Sequence, residues 1–150
     1  MNIAKIHFKL LSLLIAVPTT AGSGAEVTSN AVIYINKKKY SVEHKHIKPK
    51  KFILHPELIK KNVSSLKSSA GFDALAQAVE SLVSVNSNSQ SLNYSILSLK
   101  YGLKNYLSYL KNSNSINSKN MLLAANYSGK AINLTKTTAP HALSYPFTAH

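Results

Sequence analysis

The chain has 150 residues, 45% of them hydrophobic, which suffices for one domain with a real core or for two incomplete halves. Eighteen basic residues against five acidic ones give a net charge of +13, yet all eighteen are lysine; without the bidentate arginine fork, specific nucleic-acid recognition is disfavoured. No apolar run approaches the ~18–20 residues of a membrane span, and the absence of cysteine excludes disulfides, thiolate metal sites and a cysteine nucleophile.

Lys5 and Lys9 precede an apolar run over residues 10–17, which is followed by small residues ending in Gly22-Ser23-Gly24-Ala25. That order describes a secretory signal peptide. It equally describes a buried strand, stopped by Pro18, that runs into a tight turn. Residues 27–35 carry β-branched side chains and lead into a turn at Asn36-Lys37-Lys38, from which Tyr40-Ser41-Val42 returns as the second arm of a hairpin. Phe52-Ile53-Leu54 predicts a third short strand, closed by Pro56.

From Ser64 the period changes. Leu66, Ala70, Ala74, Leu75, Ala78, Val79 and Leu82 recur at helical spacing, with Ser64 or Ser65 placed to cap the start. Leu92, Ile96, Leu99, Leu103, Tyr106 and Leu110 step by threes and fours into one apolar stripe of a second helix. A third helix is expected from Ser118 through Met121, Leu122 and Ala125 to Ile132. The polar stretches SVNSNSQS and NSNSINS separate these helices as ordinary loops. The layout is an α/β piece over residues 1–63 followed by an all-α piece over residues 64–150.

Three stretches could carry chemistry. In GFDALAQAVE, Asp73 and Gln77 lie four apart on one helix face, with Glu80 a turn further along. A carboxylate among Ala and Leu is costly to bury without a compensating cation or donor, so Asp73 is either a metal ligand or a first-turn residue favoured by the helix dipole. In TTAPHALSYP, which begins a short helix, His141 and Tyr145 share a face; a lone histidine there reads as a ligand or as a satisfied core or cap residue. PTTAGSG places two hydroxyls and two glycines after a strand, so that it reads as an ordinary turn or as a loop approached closely by a phosphate or sugar. His44, His46 and His55 sit among lysines and read as surface residues.

The order of these stretches is more specific than any one of them. PTTAGSGAEVT after a strand, a lysine-rich hairpin, PEL, GFDALAQAVE and GKAINLTKTTAPHALSYPFT together resemble the iron-containing alcohol dehydrogenase family, collinearly from about Leu11 to His150. KKYSVEH, DALAQAVESLVSVNS and TKTTAPHALSYP look most like its phosphonoacetaldehyde reductase-like branch. The resemblance implies a truncated dehydroquinate synthase-like fold, in which the C-terminal part of a Rossmann-like cofactor domain precedes part of a helical metal-binding domain. It implies contacts to NAD or NADP from Thr19, Thr20, Ala21, Gly22, Ser23, Val32 and Lys39, and binding of iron(II) or zinc by Asp73 and His141. Gln77 stands where most members have a metal-binding histidine and offers a weaker amide oxygen. Tyr145 replaces a second active-site histidine, and His55 departs from the aspartate usual before PEL. No catalytic acid or base is assigned.

The implied reaction is hydride transfer between a nicotinamide and a small aldehyde or alcohol, with phosphonoacetaldehyde a candidate substrate. Full members carry a GGGS pyrophosphate loop and the histidine of a PHG motif; neither occurs here, so an internal fragment with little activity of its own is expected. The resemblance further implies a cytoplasmic protein with no membrane or specific nucleic-acid partner, and a homo-oligomer if full length. Two rival readings are a secreted cationic helical binding protein, with residues 1–25 as signal peptide, and a nonspecific, salt-sensitive nucleic-acid binder.

Overall fold

The computed structural model describes residues 13–36 and 38–148, and for Lys38, Lys39 and residues 145–148 the backbone alone. Short strands and loops lead into helices, so the described chain is mostly helical with little sheet. The strands are β1 (Ile15–Ala16), β2 (Asn30–Ile35), β3 (Lys38–Glu43) and β4 (Lys51–Phe52). The helices are α1 (Pro56–Lys60), α2 (Ser64–Val83), α3 (Ser89–Lys111), α4 (Ser115–Thr135) and α5 (Ala139–Thr148). Among the described residues, no helix is long and apolar enough to cross a membrane.

The hairpin pairs β2 with β3 from Asn30 opposite Glu43 to Ile35 opposite Lys38, and Asn36 enters the turn at φ 49°, a left-handed value that asparagine tolerates. Residues 25–27 coil as a 3-10 turn that buries Glu26 and Val27, so the strand expected from residue 27 begins at Asn30. The strand expected over residues 10–17 is reduced to β1, paired in parallel with β4; residues 10–12 lie outside the described residues. Leu13, Leu14, Ile15 and Val17 are exposed rather than buried, because a parallel pair is buried only where layers cover both faces, and nothing in the described chain does so. The strand expected over Phe52-Ile53-Leu54 is likewise cut to β4, and Pro56 opens the unforeseen α1 with its ring at a position where a helix needs no N–H.

The helical segments have the expected order with different ends. Val63, not a serine, occupies the N-cap of α2, and no side chain caps it. The α3 start is fixed by a reciprocal box: Asn88 Oδ1 accepts from the Gln90 and Ser91 amides, and Ser91 Oγ accepts from the Asn88 amide. Asn114 caps α4 through the Asn117 amide, which extends that helix N-terminally beyond Ser118.

The expected inward stripe of α3 is only partly inward: Tyr106 and Leu110 pack against the core, but the most deeply buried row is a neighbouring one. Ser91, Ser95, Ser98, Gly102, Asn105 and Tyr109 are buried, whereas Ile96 and Leu103 are 57% and 68% exposed. The buried row keeps helical spacing but consists mostly of small residues, which let α3 lie close against α4; Ser98 Oγ donates to the Ala124 carbonyl at 2.8 Å. A hydrophobic core then joins Ala21 and Ile59 to Ala74, Tyr109, Met121, Leu122 and Ala125. Tyr109 anchors α3 by donating its hydroxyl to the Ile59 carbonyl, and burial pushes that phenol up to about 12.

The loop after β1 is seated by a backbone-on-backbone contact. Gly24 has φ 60°, and a Cβ there would lie 2.5 Å from Gly129 Cα; a Cβ on Gly129 would lie 2.7 Å from Gly24 Cα. Replacing Gly129 with alanine adds one methyl where backbone occupies the space, so Gly129→Ala is expected to lose about 1–3 kcal/mol of stability in urea unfolding.

Candidate functional site

The helix α2 carries Asp73, Gln77 and Glu80 at successive turns of one face, and α5 brings His141 against that face. His141 Nε2 lies 3.1 Å from Asp73 Oδ1, and His141 Nδ1 lies 2.5 Å from Glu80 Oε1. Glu80 is only 4% exposed, and its other oxygen accepts from the Thr138 amide at 2.7 Å and the Thr138 hydroxyl at 2.8 Å. Gln77 completes the cluster: its Nε2 donates to Asp73 Oδ2 at 3.0 Å, while its Oε1 accepts from Ser128 Oγ at 3.2 Å.

The charges in this cluster support one another. The Asp73 hydrogen bond raises the His141 imidazolium above its ordinary range, burial opposes that, and Glu80 adds to the rise. Burial pushes Glu80 up, but the Thr138 amide, His141 and the Thr138 hydroxyl outweigh it and hold the carboxyl below its ordinary value. An ionised carboxylate only accepts, so Glu80 fixes the proton on Nδ1 and leaves Nε2 directed at Asp73. A carboxylate behind a histidine whose other nitrogen meets a second carboxylate is the arrangement of a metal ligand with its supporting acceptor. Asp73 and His141 are two donors of that kind, and no group of three or more His, Cys, Asp or Glu side chains that could hold a metal occurs among the described residues.

A cleft of about 520 Å³ opens beside this cluster, lined by Ser23, Val32, Ile47, Gln77, Lys136 and His141 among others. That volume falls within the ~300–1,000 Å³ of small-molecule pockets. A smaller cleft of about 270 Å³ is lined by Thr19, Thr20 and Ser23, and the two share Ser23 and Ala25. Ala21 and Gly22 lie instead in the interior, where a Cβ on Gly22 would sit 2.8 Å from the Ala70 carbonyl oxygen. Val32 stands on β2 with its side chain half exposed. The side chains of Lys39 and Tyr145 lie outside the described residues, as do residues 1–9 with the positive start of the signal-peptide reading. His44 and His46 are exposed, as expected of surface residues.

The sequence reading singled out neither Glu80 nor Thr138 as part of the site. The signal for Glu80 was its place one turn beyond Gln77, and that for Thr138 was its position just ahead of the Ala139-Pro140 helix start, but only the docking of α5 on α2 joins them.

Residues 4–56 match the profile of a family described as iron-containing alcohol dehydrogenase. The chain is 31% identical over 139 residues to a phosphonoacetaldehyde reductase of Streptomyces viridochromogenes, covering 90% of this chain and 35% of that protein. It is 30% identical to a 4-hydroxybutyrate dehydrogenase of Clostridium kluyveri, covering 89% and 37%. The structure of a sulfoacetaldehyde reductase from Bifidobacterium kashiwanohense, solved with NAD+, superposes with a TM-score of 0.86 at 32% identity, covering 89% and 36%. The chain therefore spans about a third of the length of the relatives it matches.

The cluster makes stability depend on pH in a defined direction. His141 titrates above its ordinary 6.5 in the folded chain, so its contribution is complete below pH 6.5 and is lost as pH rises through the raised value. Glu80 titrates below its ordinary 4.5, so its contribution is present above pH 4.5 and is lost as pH falls through the lowered value. In metal-free buffer, urea midpoints are expected to be highest between those limits, and His141→Asn is expected to flatten the alkaline limb.

Proposed function

We propose that this chain, a member of the iron-containing alcohol dehydrogenase family, contributes the metal-holding and nicotinamide-facing walls of an NAD(P)-linked site that interconverts a small aldehyde and its alcohol. The observation that carries the reading is the convergence of Asp73 Oδ1 and His141 Nε2 to 3.1 Å from positions 68 apart in sequence, with Glu80 held behind the imidazole.

In this reading Asp73 and His141 hold a divalent cation, iron(II) or zinc. Gln77 is a third donor if its amide turns over to present oxygen, since the nitrogen now faces Asp73. When bound, the cation supplies Lewis acidity at the substrate oxygen and the nicotinamide supplies or takes the hydride. Glu80 is a positioning residue: it holds the Nδ1 proton, so that the Nε2 lone pair stays directed at the cation position after that nitrogen loses its own proton. Ser23 and Val32 would form part of the wall that holds NAD or NADP, and Thr19 and Thr20 would offer hydroxyls along the adjoining cleft. Ala31, Ile47 and Ile132 give the larger cleft an apolar side that limits water beside the transferred hydride.

Two of the compared proteins are named for aldehydes with an anionic group, a phosphonate and a sulfonate. Phosphonoacetaldehyde or a similar anionic aldehyde is the substrate on that likeness; Lys136 on the wall of the larger cleft is paired with Glu43 and adds charge there only if that pair opens. Homo-oligomerisation of a full-length form and cytoplasmic residence are part of the same proposal.

Cobalt(II) or zinc(II) titration by calorimetry provides the first test. Binding is expected to be weak, for want of a third strong donor, and to release the His141 proton at pH values where the imidazole is protonated. His141→Ala and Asp73→Ala are expected to abolish it, and Glu80→Gln to weaken it by about 10–100-fold. Assays with NADH and NADPH on phosphonoacetaldehyde and unsubstituted aldehydes then read the reaction; metal binding unaffected by Asp73→Ala and His141→Ala overturns the assignment. Mass spectrometry of the expressed chain is expected to find residues 1–25 retained, whereas a mature end near Ala25 supports the secreted reading.

A further inference from the structure

A third cleft, of about 260 Å³, shares only Asn133 with the largest one and only Glu26 with the one lined by Thr19 and Thr20, and lies where the 48–52 segment meets α3 and α4. Lys48, Lys50 and Lys130 line it, with Gln90 from the first turn of α3. None of the three lysines is in an ion pair among the described residues. Lys130 is held by aromatic faces rather than by a carboxylate: its ammonium lies 5.1 Å from the Tyr127 ring centre, 5.7 Å from Phe52 and 5.8 Å from Tyr94. Ring faces steady an ammonium without neutralising it, so its charge and N–H donors stay available to a ligand. The positive end of the α3 dipole acts in the same sense.

The lining also contains one carboxylate. Glu26 is buried, and its Oε1 accepts from Asn126 Nδ2 at 2.9 Å. Its Oε2 has no hydrogen-bond partner among the described residues, and Glu26 lines the cleft. A lone acceptor amid three ammoniums repels a bare anion but accepts a hydrogen bond from an anion that carries its own proton. Hydrogen phosphate and phosphomonoester monoanions have such a P–OH group; sulfate at neutral pH has none.

We infer that this cleft is a binding site for a protonated phosphate group, with Lys48, Lys50 and Lys130 opposing its negative oxygens and Glu26 accepting its P–OH. The site is separate from the Asp73–His141 cluster and uses none of its residues.

Calorimetric titration of the full chain with inorganic phosphate, phenyl phosphate and sulfate, at constant ionic strength and about pH 5.5, where both phosphates are mainly monoanions carrying P–OH, tests it. Saturable phosphate binding is expected, at least about tenfold tighter than sulfate, the ratio that one charge-assisted hydrogen bond supplies. Lys130→Gln and Lys50→Gln are each expected to weaken phosphate by about tenfold, and Glu26→Gln to bring phosphate and sulfate within about twofold of each other. Tighter binding of phenyl phosphate than of phosphate identifies a phosphomonoester as the ligand; the reverse identifies the free ion. Lys50 lies on an exposed segment, so Lys50→Gln keeps the test readable if Glu26→Gln does not fold. Equal responses to phosphate and sulfate in the parent chain, or phosphate binding unchanged in both lysine variants, overturn the site and leave only the general attraction of a +13 chain for anions.

Discussion

The structure depends on how closely other backbones approach α4. Ala124, Ala125, Ser128, Gly129 and Ala131 are buried on that helix, and α1, α2, α3 and the 3-10 turn all pack against it. Small side chains bury little apolar area each, but they bring main chains near enough for dispersion contacts over whole helix faces. They also bring hydroxyls within reach of carbonyls, as Ser98 reaches Ala124 and Ser128 reaches Ala125. Gly24 against Gly129 is the extreme case, and it ties the loop after β1 to the middle of the helical part.

That constraint explains why α3 turns Ile96, Leu103 and Leu107 outward. Its row of Ser91, Ser95, Ser98 and Gly102 fits the narrow gap that α4 leaves, and a row of leucines would hold the helices apart. The cost is visible at Ser95, whose buried hydroxyl finds no partner among the described residues. The aromatic residues between α3 and α4 compensate on the outside, where Tyr94 and Tyr101 both stack on Tyr127.

The site inherits its geometry from the same packing. With α2 fixed against α4, Gln77 meets Ser128 and Ser81 meets Thr135, so the face carrying Asp73 and Glu80 is presented in one orientation. The turn at Lys136, with φ 66°, then swings Thr138 onto Glu80 and brings α5 back across α2. Two carboxylates and one imidazole on separate helices become a connected set because a buried carboxylate must find donors and Thr138 and His141 supply them.

Much of this was legible in the chain itself. Helical periodicity located the three long helices, turn residues placed the hairpin, and the order of short motifs carried the family resemblance together with Asp73 and His141, since each depends on neighbours a few positions away. What tertiary structure decided was which face of each element is inside. Helical periodicity is satisfied by either row of α3, and only the narrow gap against α4 selects the serine row for full burial, with Tyr106 and Leu110 at the margin of the core. The same holds for the glycines of PTTAGSG, whose freedom suits a ligand or a neighbouring helix; Gly22 and Gly24 are spent on Ala70 and Gly129. Glu80 joined the site only because a segment 58 residues later folds onto it, and spacing along one helix holds no information about a contact so distant in sequence.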